Sequence, residues 1–305
     1  MTIVSIGGIN SDVLVTTDTL PGVGACRPAS GFAEGVGGRG ANQAVAAARL
    51  GAAVILIGAV GDDDRGDRVV SRLEGESVHV GHVIRAGGAA TGAFVLLRDD
   101  TGAKQATVLR GANALLTPEH VDAAADVIRT ASVVLVQLEI PLDTVLRVAE
   151  IAHDAGVPLI LDPSPARSLP DELLRRARAI KPNAQEARAL TGIGVHDRAT
   201  ARRAALALLD RGVALVAVEA GDDGNLFLTR DEEIFVPKLA VPPVDRLGAG
   251  DALTAALTVA LTESMPLARA ARFASAAAAL TTRALGAQTA MPGRAEVETL
   301  LQGSD

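Results

Sequence analysis

Asp245-Arg-Leu-Gly-Ala-Gly-Asp251 runs straight into the apolar stretch Ala252 to Leu261, and its reading decides how the rest of the chain is understood. Two glycines and an alanine leave backbone N–H groups uncovered. The apolar run reads as a helix, so those donors lie at a helix N-terminus, where the dipole favours an anion. Asp251 sits at the same point. A carboxylate beside an anion-binding turn suits a general base that activates a hydroxyl next to a phosphoryl group. The same residues also make an ordinary N-cap, and the neighbouring sequence has to choose.

Outward from this heptad, short apolar or β-branched runs alternate with alanine-rich helical ones. Strands are expected over Ile3–Ile6, Val54–Ala59, Val133–Gln137, Leu159–Leu161, Ala179–Lys181 and Leu215–Val218. Helices are expected over Gly40–Leu50, Arg65–Glu74, Thr117–Thr130, Leu142–Asp154, Asp171–Arg178, Asn183–Thr191, Asp197–Arg211, Gly250–Thr262 and Pro266–Ala284. Continuous apolar strands of this kind are buried on both faces, which predicts an α/β fold around a mostly parallel sheet. Two stretches, about 13–35 and 90–110, lack helical periodicity. In the second, Ala93–Leu97 and Gln105–Leu109 flank the turn cluster Asp99-Asp-Thr-Gly102, a hairpin signal. These segments are expected to pair as a small sheet that acts as a lid. No linker, repeat or low-complexity tract marks a second domain, so residues 1–305 read as one.

Composition narrows the chemistry. The 305 residues carry a net charge of −7, and the aromatic set is five Phe with no Trp or Tyr. That balance argues against nucleic acid and anionic membrane as partners, and against base-stacking platforms. One cysteine, Cys26, excludes an intrachain disulfide and fits a reducing cytoplasm. No secretory leader is seen, and no apolar stretch reaches the ~20 residues a bilayer span needs.

Gly35-Val-Gly-Gly-Arg-Gly40 matches the dinucleotide fingerprint, with Asp62 downstream. A Rossmann reading needs a strand just before the first glycine, and Gly31-Phe-Ala-Glu34 looks poor for one. The glycines serve better to bring backbone amides, Asn42 and Arg39 close to a polar ligand. Asn10 and Asp12 follow the first strand, where an open α/β sheet places its ligand crevice. An amide and a carboxylate there suit a hydroxyl-rich ligand, or simply an Asx turn. Glu139 ends the Val133–Gln137 strand and could accept another hydroxyl. Asn183 and Glu186 form a capping box, and Glu186 could also reach a hydrated Mg²⁺. Val218-Glu-Ala-Gly-Asp-Asp-Gly224 makes a suitable floor for a nucleotide. No P-loop is present, and no pair of histidines has metal-site spacing.

Taken together and in order, Gly37-Gly-Arg-Gly-Ala-Asn42, Asn183-Ala-Gln-Glu186 and Asp245–Asp251 resemble the signatures of the ribokinase (PfkB) family of sugar kinases. Supporting stretches are Ala41–Ala47, Val60–Asp63, Gly111–Asn113, Pro163–Arg167 and Gly286–Gln288. The resemblance implies a ribokinase-like three-layer sandwich with a small β-sheet lid. It implies transfer of the ATP γ-phosphoryl to a sugar hydroxyl, most directly the 5-hydroxyl of ribose; deoxyribose, fructose or a nucleoside are alternative acceptors, and a non-catalytic sensor is a different class. By position, Asn10, Asp12, Gly38, Arg39, Asn42 and Glu139 would hold the sugar. Asp251 would be the base, with Gly248, Ala249 and Gly250 as the anion hole. Asn183, Glu219, Gly221, Gly224, Gly250 and Ser275 would lie along the nucleotide. Mg²⁺ would come with ATP, held through water by Glu186. A K⁺ site would use backbone oxygens near Asp245, Leu247, Thr281, Ala284, Gly286 and Ala290. A homodimer through the lid is implied as well. Departures from the family pattern are Arg39 for Lys, Arg246 for Thr, Glu219, Asp222 and Asp223 at the nucleotide turn, and Ala290 where a hydroxyl is common. Three acids at the turn would repel phosphates unless they turn away or meet cations.

Overall fold

The computed structural model describes residues 1–303. Its strands, in chain order, are β1 (Thr2–Ile6), β2 (Asn10–Thr17), β3 (Gly31–Gly37), β4 (Ala53–Gly61), β5 (Val78–Ala86), β6 (Gly92–Asp99), β7 (Lys104–Leu109), β8 (Val133–Gln137), β9 (Leu159–Asp162), β10 (Ala177–Ile180), β11 (Leu215–Glu219), β12 (Gly224–Leu228) and β13 (Glu233–Pro237). The helices are α1 (Arg39–Arg49), α2 (Asp64–Gly75), α3 (Pro118–Ala123), α4 (Ala125–Arg129), α5 (Leu142–Asp154), α6 (Asp171–Arg176), α7 (Ala184–Thr191), α8 (Arg198–Asp210), α9 (Ala249–Thr262), α10 (Leu267–Thr281) and α11 (Arg294–Gln302).

Nine strands form the main sheet in the order β13-β12-β11-β10-β9-β8-β1-β4-β5. Pairing is parallel from β11 through β5, and antiparallel at the β11–β12–β13 edge. Alternate residues of each central strand enter opposite cores, as the period of two requires. Val4, Ile6, Val134, Val136, Leu159 and Leu161 pack beneath α3 to α8. Ile3, Val133, Leu135 and Ile160 pack against α1, α9, α10 and α11. Helices on both faces of one sheet give three layers.

The two segments without helical periodicity, with β2 and β6 at their borders, pair as a second sheet of order β3-β2-β6-β7. Here β2 and β6 are parallel, while β3 and β7 are antiparallel edges. This sheet corrects one expectation. Gly31–Gly37 is a strand after all, and it leads into α1. It belongs to the small sheet and pairs antiparallel with β2, so the glycine fingerprint still lacks the parallel βαβ setting of a dinucleotide fold. Asn10 and Asp12 lie within β2 rather than in a loop after β1. The helix expected over 117–130 is two helices, since the backbone leaves helical geometry at Ala124 (φ −105°, ψ 12°).

The strand order reverses at β1: the chain moves from β1 outward through β4 to β5, then returns to place β8 on the other side of β1. A crevice opens outside the carboxyl ends of the strands at such a switch point. The ends of β1 and β8 deliver Gly7-Gly8 and Gln137-Leu-Glu139 to it.

Candidate active site

A cleft of about 930 Å³ runs along this edge, from the small sheet to the β11–β12 turn. At one end stand Asn10, Asp12, Gly38, Arg39, Asn42 and Glu139. At the other stand Asn183, Glu219, Gly221, Gly224 and Ser275, with Gly248 to Asp251 in the middle. Glu186, Asp245, Thr281, Ala284, Gly286 and Ala290 lie outside its wall.

Two glycines make the middle possible. Gly248 holds φ 81° at the N-cap of α9, and a Cβ there would come 2.3 Å from the Ala287 carbonyl oxygen. Gly38 holds φ 83° before α1, and a Cβ there would meet the Gly8 carbonyl oxygen at 2.5 Å. L-residues rarely adopt this backbone region, and neither site has room for a side chain. Both turns therefore aim helix N-termini at the cleft. First-turn amides have no intrahelical acceptor, which leaves those of Gly250 and Asp251 for a ligand. The Ala249 N–H instead reaches the Arg246 carbonyl at 3.3 Å.

Asp251 is held by α1. Asn42 Nδ2 donates to its Oδ2 at 2.9 Å, and Gln43 Nε2 to its Oδ1 at 3.0 Å. Arg39 Nη1 approaches the same Oδ1 at 3.3 Å. Each donor is fixed in turn: Asn42 Oδ1 accepts from Gln288 Nε2, and Gln43 Oε1 accepts from Gln137 Nε2 at 2.6 Å. A carboxylate so oriented is left with one direction of approach.

Behind it lies a residue the sequence reading did not single out. Asp162, at the end of β9, is fully buried and accepts from Gln43 Nε2 at 2.7 Å and Arg39 Nη1 at 3.4 Å. Burial pushes the Asp162 carboxyl up, against the pull of Arg39 and Lys181. Burial also opposes the Arg39 charge, but Asp162, Asp251, Glu186 and Glu139 outweigh it and hold the guanidinium above its ordinary value. The planar fork of arginine lets Nη1 face two carboxylates at once.

At the end beside the small sheet, Asp12 is pushed up to about 7 by burial, then by the charges of Glu139 and Asp251. Its Oδ1 is buried without a partner among the described residues. Asn10 Oδ1 accepts from Asn113 Nδ2 at 2.8 Å. Glu139 is raised by burial, although Arg39 and its backbone N–H, which donates to Oε2 at 2.7 Å, pull it down.

Lys181 was also missed. Its side chain is buried, yet its ammonium lies 2.7 Å from where a Cβ on Gly250 would be. It lines the cleft and has no acceptor among the described residues. Its only sequence signal is its place directly before Pro182-Asn183, at the end of a strand.

The nucleotide turn resolves the expected repulsion. Asp222 accepts from Lys238 Nζ at 2.8 Å and Arg246 Nη2 at 3.3 Å, which gives Arg246 a role in its own heptad. Asp223 accepts from the Arg198 N–H at 3.1 Å. Only Glu219 still faces the cleft without a cation. Asn225 Nδ2 donates to Ser275 Oγ at 3.2 Å, tying β12 to α10. The Asn183–Glu186 capping box forms as expected, with both Glu186 oxygens accepting from Asn183.

Residues 2–294 match the pfkB family carbohydrate kinases. The ribokinase of Bacillus subtilis (strain 168) is 37% identical over 298 residues, covering 97% of this chain and 98% of that protein. The deoxyribokinase of Salmonella typhi is 34% identical over 253 residues, 83% of each chain. Among solved structures, Arabidopsis thaliana ribokinase complexed with ribose and ATP superposes with a TM-score of 0.90 at 33% identity, covering 99% of this chain and 98% of the other.

Proposed function

The chain belongs to the pfkB family of carbohydrate kinases and is an ATP-dependent carbohydrate kinase, and we propose that its acceptor is a free pentose, D-ribose, phosphorylated at the 5-hydroxyl. The observation that carries this reading is Asp12: a buried carboxylate oxygen with no donor, facing a cleft, where a hydroxyl-rich ligand supplies the missing donors. Asn10 and Glu139 add acceptors on the same wall. The cleft has no Trp or Tyr to stack a base, which favours a free sugar over a nucleoside.

In this reading Asp251 accepts the proton of the attacking hydroxyl, oriented by Asn42 and Gln43. The free amides of Gly250 and Asp251 and the Lys181 ammonium face the transferring phosphoryl, whose charge is spread over its equatorial oxygens, while the Ala249 N–H expected in the anion hole is held by the Arg246 carbonyl. The small sheet, through Phe94 and Val108, covers the sugar end as a lid. Its edge strands expose Phe32, Val108 and Leu109, which suits a homodimer formed through the lids. The unpaired, exposed Cys26 suits a reducing compartment such as the cytoplasm. No helix among the described residues is long and apolar enough to cross a membrane.

Mg²⁺ arriving with ATP would neutralise phosphate charge. Glu186 fits a water-mediated contact rather than a direct one: both oxygens already accept from Asn183, and each keeps a second lone pair. The residues expected around K⁺ fit less well. The Asp245 carboxylate is already engaged by Lys104 Nζ at 2.6 Å and by the amides of Leu247 and Gly286.

Deoxyribose is the second reading, favoured by the Salmonella typhi relative. An ADP-release assay over pentoses, deoxypentoses, hexoses and nucleosides decides between them; the highest kcat/KM for anything but ribose overturns the first. Asp251→Asn is expected to keep the fold and sugar binding and to lose about 10²–10⁴ in kcat. Turnover near wild type in that variant rejects Asp251 as the base.

A further inference from the structure

Asp245 has a carboxylate with no exposed surface, at the start of the loop that carries Gly248. A buried charge needs a counter-charge and filled lone pairs. The fold supplies both from three directions. Leu247 N–H, within the loop, donates to Oδ1 at 3.4 Å, and Gly286 N–H, after α10, donates to Oδ2 at 3.3 Å. The positive charge arrives from the small sheet, where Lys104, the first residue of β7, places its ammonium 2.6 Å from Oδ1. The rest of β7 is exposed, and Lys104 alone reaches back to the main body to form this pair.

This pair differs from the protein's other surface ion pairs. Those of Asp222 and Glu263 sit in solvent or half in it, where such contacts contribute little. Here one partner is sealed, and losing the ammonium would leave its charge uncompensated inside the loop that orients the Gly250 amide.

We infer that the Lys104 ammonium is the resident cation of the Asp245 loop: a positioning residue whose tethered charge replaces a bound monovalent ion and fastens the small sheet to the phosphoryl-binding turn. The inference rests on the reading of Gly248–Gly250 as that turn. Its first consequence is a kinase indifferent to K⁺. Its second is that the site can be converted, because removing the ammonium leaves a buried carboxylate without its counter-charge.

The test compares wild type with Lys104→Met in K⁺ and in choline at equal ionic strength, by thermal melting of the ligand-free protein and by ADP release. For wild type, melting and kcat are expected to be the same in both salts. For Lys104→Met, kcat in choline is expected to fall at least about tenfold, with a melting temperature a few degrees lower, and K⁺ restores most of both. Melting of wild type that rises specifically with K⁺, together with several-fold activation, overturns the inference. So does a Lys104→Met variant that behaves as wild type, or one whose loss K⁺ does not repair. The melting arm uses no sugar or nucleotide, so a wrong acceptor assignment leaves it standing.

Discussion

Replacing Lys181 by Met removes one charge from the centre of the cleft and little volume. The ammonium lies 2.7 Å from the Cβ position of Gly250, so an oxygen bound by the Gly250 amide can approach it to about 4 Å. A unit charge pair at that distance is worth about 4 kcal/mol at an effective dielectric near 20. Part of this is already spent in binding ATP, and part offsets the desolvation of the amine. Taking about half as specific to the transition state, kcat should fall by ~30-fold, since 1.36 kcal/mol is a factor of ten. The loss belongs in kcat, because the developing charge is on the group in transit. KM for ATP should change less than about threefold. Lys181→Arg, which keeps the charge with a different reach, should recover part of the rate.

The assay is ADP release at saturating sugar, with ADP and sugar affinities measured separately by calorimetry. A Lys181→Met enzyme whose kcat lies within threefold of wild type, with its fold intact, refutes the placement of this ammonium on the phosphoryl path. A loss confined to KM for ATP would move Lys181 to ground-state nucleotide binding and refute the transition-state argument.

Gly248→Ala forces a side chain at φ 81° against a carbonyl 2.3 Å away; kcat should drop about 100-fold, with ~1–3 kcal/mol lost from urea stability, and an unchanged kcat would contradict the role of this turn. Asp12 has a folded value near 7 against an ordinary 3.8, so its stability contribution is present below pH 3.8 and lost as pH rises through 7. Asp12→Asn should therefore raise the denaturation midpoint at pH 8, by up to about 4 kcal/mol, while weakening sugar binding; equal stability of the two proteins at pH 8 would count against the buried charge. Phe227, fully buried in the sheet, tests the core alone: Phe227→Ala should cost ~3–5 kcal/mol by chemical denaturation, with kcat of the folded fraction preserved.

The central strands were legible because parallel strands buried on both faces are continuous apolar runs, as in Val133–Gln137. The strands at the edges were not. Val78-His-Val-Gly-His-Val-Ile-Arg-Ala86 carries two histidines and an arginine and has no such run. Gly224–Leu228 and Glu233–Pro237 form an antiparallel hairpin whose polar ends hide the pairing. Gly31–Gly37 is hard to read for another reason: an exposed edge of the small sheet has few apolar contacts to shape its composition. In the site, residues tied to a local motif were readable, as with Asn183 and Glu186 or Gly248 to Asp251. Asp162, Gln43 and Lys181 were not, because their meaning lies in contacts across the fold. Gln43 reaches Asp251 over 208 residues of chain, and no spacing rule reports that.

The positions where this chain departs from the familiar signatures share one physical pattern. Apart from Glu219, and Asp223, which meets only a backbone N–H, the unusual charges arrive with counter-charges. Arg39 stands between Asp162 and Asp251, Arg246 and Lys238 meet Asp222, and Lys104 meets Asp245. Viewed one at a time, three acids at a nucleotide turn look hostile to phosphate binding. Viewed as pairs, they leave the field in the middle of the cleft set by Asp251, the helix amides and Lys181. Of the three turn acids, that leaves Glu219 alone facing the cleft without a partner. Substitution around a phosphoryl-transfer site is then limited less by residue identity than by local neutrality. A change at Arg246 without one at Asp222 should disturb nucleotide binding more than the loss of both.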